Sequence, residues 1–226
     1  MSDAQKAFIQ MITNRLGRPM PASPPVHPYK GAPDFWRTHA LALEDKIALF
    51  RDNWQKAGGH FCRFATMREA KQFIVEKAAE LKARQFLLQN QPELLALGLA
   101  ESLPDSTFTV WHPANRDVLL AQAAQADIGI ALVDCGVAHT GTVVVTSSEN
   151  SGRSVSLLPA VFIAILPAER LRTRLGEALA AYNGRELADF PAGIHFISGP
   201  SRSADIENDL TIGVHGPGVV FVLLVG

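Results

Sequence analysis

Short apolar runs alternate with helix-period stripes between residues 43 and 126, and this alternation constrains the fold more than any other feature. Strands are predicted at HFCRF (60–64), QFLLQ (85–89) and TFTVW (107–111). Helices are predicted between them, on the stripes that begin at Leu43 and Met67 and over residues 92–103 and 115–126. Strands that alternate with helices indicate right-handed βαβ units. We therefore expect an α/β fold with an open, mostly parallel sheet flanked by helices.

The rhythm changes after residue 126. The stretch IGIALVDCGVAHTGTVVVTSS (128–148) holds two apolar runs separated only by AHTGT, which leaves no room for a crossover helix. It predicts a hairpin or a sharp corner set into the sheet. Further strands are predicted at AVFIAIL (160–166), IHFIS (194–198) and VVFVLLV (219–225), and a helix over 168–182.

The N-terminal stretch has a different character. Residues 3–16 predict a short helix, which Asp3 can cap and Gly17 can end. Residues 18–36 then contain six prolines, a density that excludes both helix and sheet and predicts an extended arm. Such an arm serves as a linker, lies across the domain or reaches a partner, and the sequence does not choose. We divide the chain into this helix and proline-rich arm (1–36) and an α/β domain (37–226).

Charge and cysteine content exclude several function classes. The net charge of −1 gives no general attraction to nucleic acid or to an anionic membrane. Cys62 and Cys135 are the only cysteines, and they argue against a disulfide framework or an iron–sulfur cluster held by this chain. No apolar run approaches the about 18 residues that span a bilayer, so we expect no membrane span and a cytoplasmic location. Phosphate-loop, dinucleotide-binding and zinc-protease motifs are absent from the sequence, and no metal site is predicted.

The stretch SGPSRSADIE (198–207) is the first candidate site. After the strand, a turn at Gly199 and a helical turn capped by Ser201 would present free backbone N–H groups. Arg202 adds a planar donor that suits a carboxylate or a phosphate. Asp205 and Glu207 either orient Arg202 or act on a ligand. The alternative is an ion pair that merely stiffens the turn.

Two other glycine-bearing stretches and a loop histidine complete the candidate site. Thr140, Gly141 and Thr142 form a corner that offers hydroxyls or simply turns the chain. Arg153, in SGRSVSLLP, is either a ligand contact or a solvated cation. His215, in GVHGPG, either handles a proton or braces its loop. These stretches follow strands, and loops at the carboxyl ends of strands form the ligand crevice of open α/β sheets, so we expect them to converge there.

Three blocks taken together carry a family resemblance. They are AHTGTVVVTSSENSGRSVSLLPAVFIAIL, HFISGPSRSADIE and GVHGPGVVFVLLV, and FIQMITNRLGRP near the N-terminus extends the match to nearly the whole chain. In this order they resemble the LutC/YkgG proteins of the LUD-domain family. The resemblance implies a fold like that of the NagB/RpiA/CoA-transferase class, in agreement with the alternation of strands and helices.

The resemblance also implies a function. Such proteins are associated with bacterial oxidation of L-lactate to pyruvate, next to LutA-like and LutB-like iron–sulfur partner proteins. This chain would then be a subunit of an L-lactate dehydrogenase complex, with the clusters in its partners and no cofactor of its own. Lactate or another small anion would bind Thr140–Thr142, Arg153, Gly199, Ser201 and Arg202, with His215, Asp205 and Glu207 as catalytic candidates.

One position departs from the family pattern, and two other functions remain open. The residue before Thr140 is usually acidic in such proteins, and here it is His139, which puts the family's substrate in doubt for this chain. A non-catalytic scaffold that docks on the iron–sulfur subunits is one alternative. A transferase or isomerase acting on a CoA-linked or phosphorylated substrate is the other, and it rests on fold analogy alone.

Overall fold

The computed structural model describes residues 2–20, 39–112, 114, 116–206 and 209–226, without the side chains of 116, 204–206 and 209. The chain divides into two compact units, Met1–His39 and Ala40–Gly226. The helices are α1 (Asp3–Arg15), α2 (Leu43–Lys56), α3 (Met67–Glu80), α4 (Pro92–Leu95), α5 (Leu99–Ser102), α6 (Arg116–Gln125), α7 (Ser154–Leu157) and α8 (Leu175–Leu179). None of these helices has the length and apolar character that crossing a membrane requires.

Twelve strands are present in the described part of the chain. They are β1 (His60–Phe64), β2 (Gln85–Leu88), β3 (Thr107–Val110), β4 (Ile128–Leu132), β5 (Cys135–Val137), β6 (Thr142–Thr146), β7 (Val161–Pro167), β8 (Leu171–Arg172), β9 (Ile194–Ile197), β10 (Arg202–Ile206), β11 (Asp209–Ile212) and β12 (Val219–Val225). Short 3₁₀ turns cover Ala138–Thr140, Ala168–Arg170, Ala180–Tyr182 and Leu187–Asp189.

Six strands form one parallel sheet in the order β1-β12-β7-β4-β2-β3. Its central strands β4, β7 and β12 are almost wholly buried, as expected for parallel strands covered on both faces. The predicted α/β class with a mostly parallel sheet flanked by helices is confirmed.

Each face of this sheet packs against its own layer. Helices α3, α4 and α5 cover one face, where Ile74 and Leu94 meet Ile130 and Ile163 in one apolar cluster. The other face carries α2 and a second sheet of order β8-β5-β6-β9, and Trp54 lies there in a cluster with strand residues of both sheets. Helices α6 and α7 cover the same face over β2 and β4. The fold therefore has three layers.

Two predicted long helices are wrong. Residues 92–103 form two single turns, because Gly98 adopts a left-handed φ of 57° between them. Residues 168–182 form a 3₁₀ turn, strand β8 and the short helix α8. Leu171 lies in β8, paired in parallel with Gly136, so the stripe that begins at Leu171 belongs to two different elements.

The predicted hairpin around AHTGT is present, but it lies outside the main sheet. The chain leaves β4 at Val133, and β5 and β6 then pair antiparallel in the second sheet.

The helical turn predicted after Ser201 is also wrong. Arg202 instead begins strand β10, which pairs antiparallel with β11 and places Arg202 opposite Ile212.

The first unit contains α1. Ser2, rather than Asp3, is its N-cap, and Ser2 and Gln5 form a reciprocal capping box. Residues 21–38, which include most of the predicted arm and the predicted boundary at 36/37, lie outside the described residues.

Candidate functional site

A cavity of about 350 Å³ brings together several of the predicted site residues, and we call it the rim cavity. It is lined by Ser156, Leu157, Phe162, Phe196, Ile197, Ser198, Gly199, Pro200, Ser201, Arg202, His215, Gly216, Pro217 and Val220. Phe162 and Val220 lie at the amino ends of β7 and β12, so the cavity opens at the amino edge of the main sheet. The expectation that the loops meet at its carboxyl edge is wrong, because β6 and β9 belong to the second sheet.

Backbone hydrogen bonds hold the two glycine-rich loops of the cavity together. The N–H of Ser201 donates to the Pro217 carbonyl at 2.9 Å, and the N–H of Gly213 donates to the Ser201 carbonyl at 2.9 Å. Gly58, just beyond α2, has the Arg202 guanidinium as its nearest neighbour on the Cβ side. The exposed Arg202 is therefore placed between the end of α2 and the cavity.

The Thr140–Thr142 corner is fixed to helix α2. The Asn53 side-chain amide donates to the carbonyls of Ala138 and His139, each at 3.0 Å. Gly141 has a φ of 55°, and a Cβ at this position would lie 2.5 Å from the backbone nitrogen of Trp54. Only glycine fits there, because both the conformation and the space exclude a side chain.

Thr142 supports the rim rather than facing a ligand. Its side chain is buried, and its Oγ1 donates to Thr140 Oγ1 at 2.7 Å. The same oxygen lies 2.6 Å from Ser198 Oγ, on the cavity lining. The corner thus reaches the cavity through Ser198, and Thr140 and Thr142 themselves do not line it.

Arg153 lies elsewhere. It does not line the rim cavity, and its charge acts instead on His195, in β9. Burial, with a smaller contribution from Arg153, lowers the pKa of His195 below its ordinary value. His195 Nε2 lies 3.0 Å from Ser147 Oγ, toward the opposite end of the β6–β9 ladder from Ser198.

Sequence reasoning gave no role to His195 or Ser147. The only available signal was the strand predicted at IHFIS, which contains His195. In the structure, His195 pairs with Val145 of β6. Of the remaining predicted residues, Asp205 lies in β10 with its side chain outside the described part, and Glu207 lies outside the described residues altogether.

The rim cavity combines a charged side chain, hydroxyl groups and apolar side chains. Arg202 supplies a cation, Ser198 and Ser201 supply hydroxyls, and the exposed His215 supplies an imidazole. Phe162 and Val220 form an apolar floor. Across the residues that the structure describes, no group of three or more His, Cys, Asp or Glu side chains is arranged to hold a metal ion.

Comparison with known proteins places these features in a family. The sequence model of the LUD domain matches residues 47–225. A lactate utilization protein C of Halalkalibacterium halodurans is 43% identical over 143 residues, which cover 61% of each chain. A protein of the same name from Shouchella clausii is 31% identical over 215 residues, covering 93% of each, and one from Exiguobacterium sp. is 31% identical over 223 residues, covering 96% of this chain and 94% of that one.

A solved structure shares the fold. The crystal structure of a DUF162 family protein from Deinococcus radiodurans superposes with a TM-score of 0.59 at 19% identity, over 82% of this chain and 99% of that chain. The family match spans both sheets and every described residue of the rim cavity. The chain belongs to the LUD-domain family, among the lactate utilization C proteins, as the three sequence blocks indicate.

Proposed function

We propose that this chain is a LutC-like component of a system that oxidises L-lactate to pyruvate, and that it binds a small carboxylate in the rim cavity. The observation that carries the proposal is the convergence of three separate sequence blocks, around Ser156, Ser201 and His215, on one cavity of about 350 Å³. The names of the relatives supply the substrate class.

The carboxylate would lie against Arg202, with the Ser201 hydroxyl as a second donor. A guanidinium binds a carboxylate through two parallel N–H···O bonds, which fixes the orientation of the ligand as well as its position. The apolar floor of Phe162 and Val220 would receive the methyl group. Thr142 would act indirectly, by holding Ser198 in place.

Oxidation of lactate to pyruvate releases two electrons and two protons. In this proposal the electrons pass to the iron–sulfur clusters of LutA-like and LutB-like partners. His215, exposed on the cavity lining, accepts the hydroxyl proton, and the proton of the broken Cα–H bond passes to water. Asp205 and Glu207 stay candidates for orienting Arg202. Arg153 stays a candidate ligand contact only outside the rim cavity.

The test of ligand binding is calorimetric titration of L-lactate into the wild-type chain and into the Arg202→Ala variant. We expect the variant to bind at least about tenfold more weakly, since a charged hydrogen-bond pair contributes about 1.5–3 kcal/mol. Arg84→Ala is the matched control, because Arg84 is exposed, pairs with Asp105 and does not line the cavity. Equal affinity in all three proteins would mean that Arg202 does not contact the ligand.

A second observation favours docking on partner proteins. Beside the rim cavity lies a broader groove of about 910 Å³, whose lining includes the exposed apolar side chains of Leu157, Leu158, Ile212 and Val214. Contiguous exposed apolar surface marks sites of protein interaction. A non-catalytic assembly role would use this groove, with the proline-rich arm as a clasp.

Anaerobic co-purification from lactate-grown cells tests the docking role. We expect iron–sulfur partners and lactate-dependent dye reduction to co-purify with the wild-type chain and to be lost from Ile212→Glu. Leu187→Glu is the control, because Leu187 is 89% exposed and lies outside the groove. Loss of partners on deletion of residues 1–36, with lactate affinity retained, would assign assembly to this segment and favour the docking role.

A further inference from the structure

Two polar side chains are buried without a hydrogen-bond partner among the described residues. Both polar atoms of the Gln89 amide are unpaired, and Gln89 is fully buried. The hydroxyl of Ser154 is also unpaired, and Ser154 is 6% exposed. A buried unpaired polar group costs about 1–3 kcal/mol of stability, so such groups require an explanation.

The two groups lie on one face of the main sheet, at one edge. Gln89 directly follows β2, and its N–H donates to the Ile130 carbonyl of β4 at 3.2 Å. Leu87, two residues earlier on the same face, packs in a cluster with Val155 and Trp111. Ser154 precedes Val155, so both unpaired groups lie on the face that α7 covers, near the carboxyl ends of β2 and β4.

This place is the topological switch point of the sheet. Strands β2 and β4 are hydrogen-bonded neighbours, but β2 leads on to β3 at one edge, whereas β4 leads on to β7 in the opposite direction. Ligands of open α/β sheets bind outside the carboxyl ends of strands at such a point. The rim cavity lies at the amino edge, so it is a separate site.

A loop of residues 148–153, which we call the cover loop, closes this edge. The N–H of Asn90 donates to the Asn150 carbonyl at 2.9 Å, and the indole N–H of Trp111 donates to the Glu149 carbonyl at 3.1 Å. Gly152 lies so close to the Trp111 ring that a Cβ would overlap it. Glu149, Asn150 and Arg153 are exposed on the outside of the loop. The loop must move for a ligand to reach the two unpaired groups, because both are buried.

We propose that the carboxyl ends of β2 and β4 form a second binding site, for a small molecule that carries a carboxylate next to a hydroxyl group. The Gln89 amide N–H₂ and the Ser154 hydroxyl donate to the carboxylate, and the Gln89 carbonyl oxygen accepts from the ligand hydroxyl. The choice of a hydroxy acid rests on the proposed function, whereas the place rests on the unpaired groups.

The test uses calorimetric titration of L-lactate in the Arg202→Ala background, where binding in the rim cavity is weakened. We expect residual binding that Gln89→Leu and Ser154→Ala each weaken by tenfold or more. Propionate, which lacks the hydroxyl, is expected to bind more weakly than lactate until Gln89 is replaced. Gln72→Leu is the control, because Gln72 is an exposed α3 residue bonded to Glu76. Thermal melts without ligand verify folding, and Gln89→Leu should melt no lower than its parent.

The outcomes separate this inference from the proposed function. Complete loss of lactate binding in Arg202→Ala overturns the second site and leaves the rim cavity. Unchanged binding in Arg202→Ala with loss in Gln89→Leu supports the second site and means that Arg202 does not contact lactate. Residual binding that neither Gln89→Leu nor Ser154→Ala weakens means that an internal water satisfies the amide, and it overturns the inference. Absence of lactate binding to the wild-type chain overturns both.

Discussion

The hydroxyl groups of Thr142 and Ser198 lie 2.6 Å apart, and this contact joins the corner after β5 to the lining of the rim cavity. Because Thr142 Oγ1 donates to Thr140 Oγ1, the proton between Thr142 and Ser198 comes from Ser198. The three hydroxyls therefore form a directed chain, Ser198 to Thr142 to Thr140. The buried Thr142 is its central member.

Replacement of Thr142 by valine keeps the shape of the side chain and removes this link. We expect a loss of about 1–2 kcal/mol in the free energy of unfolding, since two neighbouring hydroxyls lose their partner. Lactate affinity should fall less than in Arg202→Ala, because Ser198 is misplaced rather than removed. Urea unfolding gives the stability. Thr107→Val, on the edge strand β3 and exposed, is the control and should change it by less than about 0.5 kcal/mol.

Gly141 tests the attachment of the same corner to helix α2. An alanine Cβ would lie 2.6 Å from the Asn53 carbonyl carbon, and the φ of 55° is itself unfavourable for alanine. We expect Gly141→Ala to cost about 2–4 kcal/mol, from backbone strain and the forced movement of α2. Gly176→Ala, in α8 with open space around it, should be neutral or slightly stabilising. Equal melting temperatures of the two variants would contradict this packing.

Patterns in the sequence predicted the main sheet well, because its buried parallel strands, such as VVFVLLV, are short continuous apolar runs, and few other structures have that pattern. The second sheet was missed. Its strand β8 is two residues long and is fixed by pairing with Gly136, a tertiary contact that no local period reports. Arg202 was assigned to a helical turn because serine favours caps, whereas pairing with Ile212 makes that stretch a strand.

The candidate site was only partly predictable for the same reason. Glycine and arginine identified the loops, but the edge at which the loops meet depends on which sheet each strand joins. Gln89 and Ser154 carry no pattern at all. Their character comes from burial without a partner, which exists only once the chain is folded.

His195 should make stability depend on pH. Burial and Arg153 lower its pKa in the folded chain, so the unfolded chain binds the proton more tightly. Stability is therefore full above the unfolded pKa of about 6.5 and falls as the pH drops through it toward the folded pKa. We expect the stability of His195→Gln to fall less than that of the wild-type chain as the pH drops. NMR titration of the His195 imidazole should show a midpoint below 6.5. His112→Gln is the control, because the His112 side chain is exposed and lies outside β9. A midpoint above 6.5 would reverse the sign.

The Cys135 thiol should react slowly with alkylating agents although the residue is only half-buried. Burial, opposed by Arg172 and reinforced by Asp134, raises its pKa to about 11. Since the thiolate is the reactive form, we expect alkylation by iodoacetamide at pH 8 to be about a hundredfold slower in the folded chain than in urea. Peptide mapping by mass spectrometry follows Cys62 in the same sample, and burial raises the pKa of that thiol as well. Labelling of folded Cys135 at the unfolded rate would mean that strand β5 opens to solvent, and would contradict this prediction.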